Sequence, residues 1–327
     1  MNFAHFIKEI GRGAENPGDL SEADAKQLYG AMLDGGVPEL ELGAILIALR
    51  VKGESLGELL GFTAAVDERL ARLAPVSGKP RPVVLPSYNG ALHQPNLTPL
   101  LALLLARFGV PVLVHGELSG NGRVASAYIL RELGVMPCAS AAQAQEALEA
   151  SGIAYLPTAA LSPGLASLLA LRGRLGVRNS AHFVAKLMDP FAGEGLTVVS
   201  ASHPPYLDRL REYFVATGGH ALLLRSTEGE PFANPKRRPA LEHAHDGLLD
   251  VLFEAEVRPV KTLPTLPEDI DAAATAQWTK RALAGDAPVP LPLINHLACL
   301  LYACGYAPDM NQAKAIVAVE AGTMAAA

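Results

Sequence analysis

Cysteine is scarce in this chain. Cys138, Cys299 and Cys304 are the only three in 327 residues, with no CxxC and no Cys/His spacing suited to a metal. That excludes a disulfide scaffold and a zinc ribbon, and leaves buried or free thiols in a reducing compartment. Aromatic residues are few, at 6%, while half the chain is hydrophobic. Ala and Leu must therefore carry the core, which suits helices and a parallel sheet better than a β-sandwich. Positive charge is in deficit, with 27 Lys and Arg against 33 Asp and Glu, a net charge of −6. Global attraction to a polyanion is excluded, so any nucleic-acid surface has to be a local basic patch. Long apolar runs are missing too: the longest, LTPLLALLLA, is too short to span a bilayer. The opening MNFAHFIKEIGRG lacks a basic region followed by an apolar core. A cytoplasmic protein without a membrane partner is expected.

What is present is organised around residues 83–134. The stretch predicts strand, loop, helix, then strand, loop, helix. A short apolar strand stops at Pro86, Ser87-Tyr88-Asn89-Gly90 is turn chemistry, and an apolar helix covers 97–108. The strand Val112 to Val114 leads into a second loop at His115-Gly116, and Gly120-Asn121-Gly122-Arg123 opens a helix from about Val124. Two strand-to-helix loops side by side, each followed by a helix N-terminus, are where an α/β protein binds an anion.

The first seventy residues read as helices, over 3–10, 21–34, 39–52 and 55–73, with Ser21 and Ser55 as caps. Residues 74–82 are a proline-rich linker. Beyond it, strands at 154–156, 197–200, 221–225 and 250–256 alternate with helices at 141–150, 163–175, 181–187 and 205–217. Residues 227–245 are expected to be mostly loop. Helices near 269–283, near 293–304 and from Met310 close the chain. The fold class is α/β, with a small helical domain at 1–74, joined by helices from about 163–187, and a large domain at 75–327 around a mostly parallel sheet.

Residues 19–61, and above all ALRVKGESLGEL at 48–59, resemble the N-terminal helical domain of anthranilate phosphoribosyltransferases. The likeness continues in register through His115-Gly116, the run LRGRLGVR at 171–178 and Asp189-Pro190. It implies a helical domain that dimerises, an α/β domain, and a cleft between them. The departures are specific. The family's GTGGDG-like pyrophosphate loop is replaced by PSYNGA at 86–91, where Pro86 has no N–H and Tyr88 brings bulk. The family's Asn-x-Ser-Thr survives in part as Asn96-Leu97-Thr98. Its Lys-His-Gly-Asn-Arg becomes Val114-His115-Gly116-Glu117-Leu118, and its paired magnesium acids have no match in STEGEP at 226–231, where Glu228 and Glu230 are not adjacent. Arg172 aligns with the arginine that contacts anthranilate. Losing the loops and the acid pair removes several electrostatic donors, each worth about 3 kcal/mol in the transition state. The altered motifs, with SHPPY at 202–206, are similar to the YbiB branch of this group, which the resemblance describes as nucleic-acid-binding and without the biosynthetic activity.

No catalytic residue, metal site or resident cofactor is therefore expected; magnesium belongs only to the transferase alternative. For nucleic acid, the resemblance implies DNA without sequence preference, held by a homodimer. Two clusters are candidates. One comprises Arg172, Arg174, Arg178 and Lys186, although Gly176 interrupts the face that Arg174 and Arg178 would share. The other is the dense run Lys236-Arg237-Arg238. Each has a bland alternative, cleft lining for the first and a solvated loop for the second. Lys8, Arg12, Lys79 and Arg81 are scattered further cations. A possible small-anion cleft would use Ser87, Asn89, Asn96, Thr98, His115, Gly116, Arg123 and Arg172, although a histidine placed like His115 is more often a buried relic satisfied by backbone. The rival reading is an active phosphoribosyl- or glycosyltransferase, or a nucleoside phosphorylase, on another substrate.

Overall fold

The computed structural model describes residues 2–12, 18–120, 122–225, 228–256 and 265–326. Asn121, Ser226 and Thr227 of the quoted motifs, and the proline-rich connector at 257–264, lie outside them. The chain divides into two compact units, residues 1–71 with 158–188 and residues 72–157 with 189–327.

In chain order the first helices are α1 (Phe3–Ile10), α2 (Glu22–Leu33), α3 (Glu39–Lys52) and α4 (Leu56–Asp67). Then follow β1 (Val83–Ser87), α5 (Thr98–Arg107), β2 (Val112–Gly116), α6 (Ser126–Glu132), α7 (Ala141–Ser151) and β3 (Ile153–Pro157). Next come α8 (Thr158–Leu161), α9 (Pro163–Ala170), α10 (Arg172–Leu175) and α11 (Ala181–Val184), which runs into a 3₁₀ turn. The second half holds β4 (Leu196–Ala201), α12 (Pro204–Thr217), β5 (Ala221–Arg225), β6 (Leu241–His245) and β7 (Leu248–Phe253). It ends with α13 (Ala272–Ala284), α14 (Leu291–Ala303) and α15 (Met310–Ala326).

The first unit is helical. Ser21 accepts the N–H of Asp24 to start α2, and Ser55 with Glu58 closes a capping box on α4. These two helices pack closely because Gly61 leaves room: a Cβ there would meet the Glu22 carbonyl at 2.4 Å. Tyr29 stacks on Phe62 with ring centroids 4.4 Å apart. The fully buried Glu58 carboxylate takes Lys52 Nζ at 2.6 Å and the N–H groups of Leu20 and Ser55.

The second unit is a seven-stranded sheet in the order β3-β2-β1-β4-β5-β6-β7. The first five strands are parallel; β6 and β7 run antiparallel. Strands β1, β2 and β4 are buried throughout, as a parallel sheet covered on both faces requires. One apolar core joins this sheet to α5, α13, α14 and α15.

Several boundaries differ from the sequence reading, each for a local reason. Strand β1 does not stop at Pro86. The Val83 N–H points to Pro111 beside β2, so the alternating parallel ladder aims position 86 toward β4. Strand β4 pairs with β1 only at Val83 and Val84, so no hydrogen bond is missed. Helix α4 ends at Asp67 and not near 73: the N–H groups of 68–70 make the last local bonds, and then Ala71 donates to Leu161 and Leu73 to Pro190. The expected helix at 163–175 is interrupted at Leu171, and Gly176 ends it in the left-handed region at φ +72°. Helix α6 begins at Ser126 and not at Val124, because Val124 forms a bridge with Ala91. The segment up to His245, expected to be mostly loop, contains β6, whose polar Glu242 and His243 conceal a buried strand.

Candidate functional site

The carboxyl ends of β1 and β2 carry the first candidate site. Ser87 pairs in register with Gly116. Only glycine fits at 116, since a Cβ would lie 1.8 Å from the Ser87 carbonyl. The loop after β1 turns at Gly90, at φ +64°, and the Ala91–Val124 bridge ties it to the loop after β2. Ser87, Asn89, Asn96, Thr98, His115, Gly116 and Arg123 all gather here, within the second unit. Arg172 belongs to the first unit.

The loop is an anion cradle that already holds anions. Glu230 is fully buried. Its Oε1 accepts the N–H groups of Asn89 at 2.8 Å and Gly90 at 2.9 Å. Its Oε2 accepts Ser87 Oγ at 2.5 Å, Thr98 Oγ1 at 3.3 Å and Asn96 Nδ2 at 3.4 Å. Glu228 does the same a few residues along. It accepts the N–H groups of Leu92 at 2.8 Å and His93 at 3.1 Å, and it pairs with the Arg123 guanidinium. Arg123 also donates to the Gly90 carbonyl at 3.1 Å, so its charge is engaged. Residues 228–230 are anchored from the other side by Ser200 Oγ, which bridges the carbonyls of Gly229 and Glu230.

His115 lies beneath this loop, fully buried, with Nδ1 2.7 Å from Tyr88 Oη. Burial lowers its pKa to about 3, so it is neutral and offers no positive charge to a ligand. Asn96 has a structural duty as well: its Oδ1 accepts the Thr98 N–H and so starts α5.

The cations form two groups, one in each unit. Arg172, Arg178 and Lys186 surround His182 in the first unit. Burial and then the charges of Arg178, Arg172 and Lys186 lower that histidine's pKa to about 3. Arg174 does not share a face with Arg178 on a continuous helix. It is exposed and pairs with Glu39 through two bonds of 3.1 Å.

In the second unit, Lys236, Arg237 and Arg238 follow an Asx turn in which Asn234 Oδ1 accepts the Lys236 N–H. Arg237 and Arg238 border a groove of about 870 Å³ that Arg211 and Arg225 also line, over a floor that includes Pro204 and Leu207. Arg211 is held by Glu242 at 2.7 and 2.8 Å and by Asp208, and Arg238 by Glu256. Arg225 is exposed and donates only to the Ser202 carbonyl among the described residues, and Arg237 is exposed with no carboxylate partner among them. The sequence reading missed Arg211 and Arg225, which are far from the basic run in the chain. Position 225 carried a usable signal, since it ends a parallel strand on the sheet's carboxyl edge. The spacing of Glu228 and Glu230 speaks only to metal binding, and nothing local in the sequence points to their role in the loop. Among the described residues no cluster of His, Cys, Asp and Glu could hold a metal ion.

Residues 4–70 match the helical bundle domain of a glycosyl transferase family. The chain is 45% identical over 318 residues to the uncharacterized protein YbiB of Escherichia coli (strain K12), covering 97% of this chain and 99% of that one. The chain belongs to the YbiB branch of the anthranilate phosphoribosyltransferase-like family. Anthranilate phosphoribosyltransferase of Methanosphaerula palustris is 27% identical over 314 residues, covering 94% of this chain and 92% of its own. The fold matches crystalline anthranilate phosphoribosyltransferase (TrpD) from Thermus thermophilus with a TM-score of 0.77 at 24% identity, over 99% of this chain and 95% of that one. The Saccharomyces cerevisiae enzyme in complex with PRPP and Mg gives 0.68 at 13% identity, over 99% and 94%. The transferase fold is thus present across the whole YbiB-type chain. No helix among its described residues is long and apolar enough to cross a membrane.

Proposed function

We propose that this YbiB-type chain is a cytoplasmic nucleic-acid-binding protein built on a transferase scaffold, with no resident cofactor and no phosphoribosyl transfer. The observation that carries the binding half is the arginine-lined groove beside the 236–238 turn. A chain of net charge −6 needs its cations concentrated, and Arg225 and Arg237 offer guanidinium groups without carboxylate partners among the described residues. Guanidinium forks suit phosphodiester oxygens. No aromatic residue lines the groove among the described residues, so stacking on bases is not provided for. Backbone contacts of this kind give DNA binding without sequence preference. The cluster of Arg172, Arg178 and Lys186 supplies a second set of phosphate contacts in the first unit.

Absence of transfer is supported by the occupied cradle. The N–H groups that a pyrophosphate would need are bonded to Glu230 and Glu228. We further propose a homodimer formed through the exposed apolar stripe of α3, Leu40, Ile47 and Val51, whose spacing places them on one face. Electrophoretic mobility shift with unrelated DNA sequences, run as a salt series beside calorimetry with phosphoribosyl pyrophosphate and magnesium, tests the reading. Similar affinities for all sequences with a steep salt dependence are expected. Tight magnesium-dependent binding of phosphoribosyl pyrophosphate would overturn it.

A further inference from the structure

We propose that Glu228 and Glu230 are resident ligands of an oxyanion cradle: the chain fills, with two of its own carboxylates, a pair of seats that would otherwise take a diphosphate-type anion. The proposal deepens the reading of a retired transferase and rests on it.

The donors carry the argument. Within five residues the loop presents two pairs of backbone N–H groups, Asn89 with Gly90 and Leu92 with His93. Each pair converges on one carboxylate. Around the first seat stand Ser87 Oγ, Thr98 Oγ1 and Asn96 Nδ2; beside the second stands the Arg123 guanidinium. Converging N–H pairs of this kind make an anion-binding concavity whatever anion fills it. Glu230 has no cationic partner among the described residues and is fully buried, so neutral donors alone compensate its desolvation. A purely structural clamp between loops has no need of a buried carboxylate, whose charge must be taken out of water; a neutral side chain would serve.

The acid-bearing segment is itself held in an unfavourable shape. Glu228 sits at φ +63°, a conformation disfavoured for a residue with a Cβ. Gly229 follows at φ +80°, so the turn inserts both acids from one side. Ser200 fixes the turn by its carbonyls, leaving the two carboxylates to face the loop.

The test is chemical rescue in the full-length protein. Glu228→Ala with Glu230→Ala empties both seats, and Glu230→Ala alone empties the inner one. Thermal unfolding is followed against inorganic pyrophosphate, with chloride at matched ionic strength as control. Wild type is expected to show no saturable shift. Both variants are expected to melt lower, to regain stability saturably with pyrophosphate, and to bind it at least tenfold more tightly than wild type by calorimetry. Should the double variant fail to fold, refolding in pyrophosphate is expected to restore it, and failure there counts against the proposal. Folded variants with no saturable shift would overturn the resident-ligand inference and leave the nucleic-acid reading intact. Pyrophosphate binding by wild type as tight as by the variants would overturn the inference and, if magnesium-dependent, the retired-transferase reading as well.

Discussion

Removing Arg225 and Arg237 together is the sharpest test of how an acidic chain could hold nucleic acid. Both are exposed, both line the same groove, and neither has a carboxylate partner among the described residues, so their substitution leaves no acid newly unpaired. Each phosphate neutralised on duplex DNA contributes about −0.9 to the slope of log K against log salt, or about −0.7 on single strands. Losing both arginines should therefore flatten the slope by about 1.8 on duplex and about 1.4 on single strands. Between 50 and 200 mM salt, a fourfold change, the two contacts account for roughly a twelvefold difference in duplex affinity. The arginines already held by acids behave differently. Arg211 is fixed by Glu242 and Asp208, and Arg238 by Glu256, so Arg211→Ala also strands the nearly buried Glu242 and costs stability first. Fluorescence anisotropy with one labelled duplex, repeated at five salt concentrations for wild type, Arg225→Ala with Arg237→Ala, and Arg174→Ala, gives the slopes directly. Arg174, paired with Glu39 at the surface, should leave the slope nearly unchanged, well short of the roughly 0.9 that one phosphate contact contributes. A double variant whose slope equals that of wild type would refute the groove as the contact surface.

Other expectations follow from the interior. Lys52→Met should destabilise the helical unit by about 3–5 kcal/mol in urea unfolding, because it leaves the fully buried Glu58 carboxylate without its cation; adding Glu58→Gln should recover much of the loss. Burial lowers the pKa of His115 and His296 to about 3, against 6.5 in the unfolded chain, so unfolding takes up protons between these values. Their contribution to stability is complete above pH 6.5 and is lost as the pH falls; from pH 7 to 5.5 the loss is about 1 kcal/mol for each, and His296→Gln should remove its share from the urea-midpoint profile. His245 acts with the opposite sign, since hydrogen bonding to Asp250 raises its pKa, so its contribution fades as the pH rises past that raised value. Leu40→Asp with Val51→Asp should convert a dimer to a monomer in sedimentation velocity, because the two side chains are 83% and 66% exposed on one apolar face. A wild-type monomer at micromolar concentration would refute that surface as a self-association site.

The fold was legible where the sequence carried a period or a cap. Ser21 and Ser55 mark helix starts, and the apolar runs at 83–85, 112–114 and 221–225 mark parallel strands. It was obscure where tertiary partners decided the outcome. Strand β6 carries Glu242 and His243 inward, which no alternating pattern announces, because Arg211 from α12 supplies the charge that lets Glu242 be buried. Helix α4 stops short of an apolar continuation because, after local bonds from 68–70, carbonyls distant in sequence take the N–H groups of Ala71 and Leu73. At the candidate site, the sequence made the altered loop plain but not its contents. The four N–H groups lie at 89–93 and the two acids at 228 and 230, some 140 residues away, and no local rule joins them.

That separation bears on the proposed loss of phosphoribosyl transfer. Pro86 and Tyr88 suggested a loop stripped of its donors, yet the donors remain and the change lies in what they bind. Pro86 gives up an N–H that would have faced an unpaired side of β1, and Tyr88 turns inward to His115. Neither substitution removes a donor from the cradle. The decisive residues are the two glutamates, whose carboxylates stand on N–H pairs that an incoming phosphate would have to win, and whose negative charges would repel it. An oxyanion entering beside Glu230 meets a like charge at a few ångströms, where the repulsion is on the order of 4 kcal/mol at an effective dielectric of about 20. That is comparable to what a pair of backbone N–H groups returns to a charged acceptor, at roughly 1.5–3 kcal/mol each, so the repulsion offsets much of the cradle's attraction. On the proposed reading the two glutamates keep a phosphate out of the loop while Arg225 and Arg237 take phosphates in the groove, whose lining acids among the described residues, Glu228 and Glu256, are each paired with an arginine.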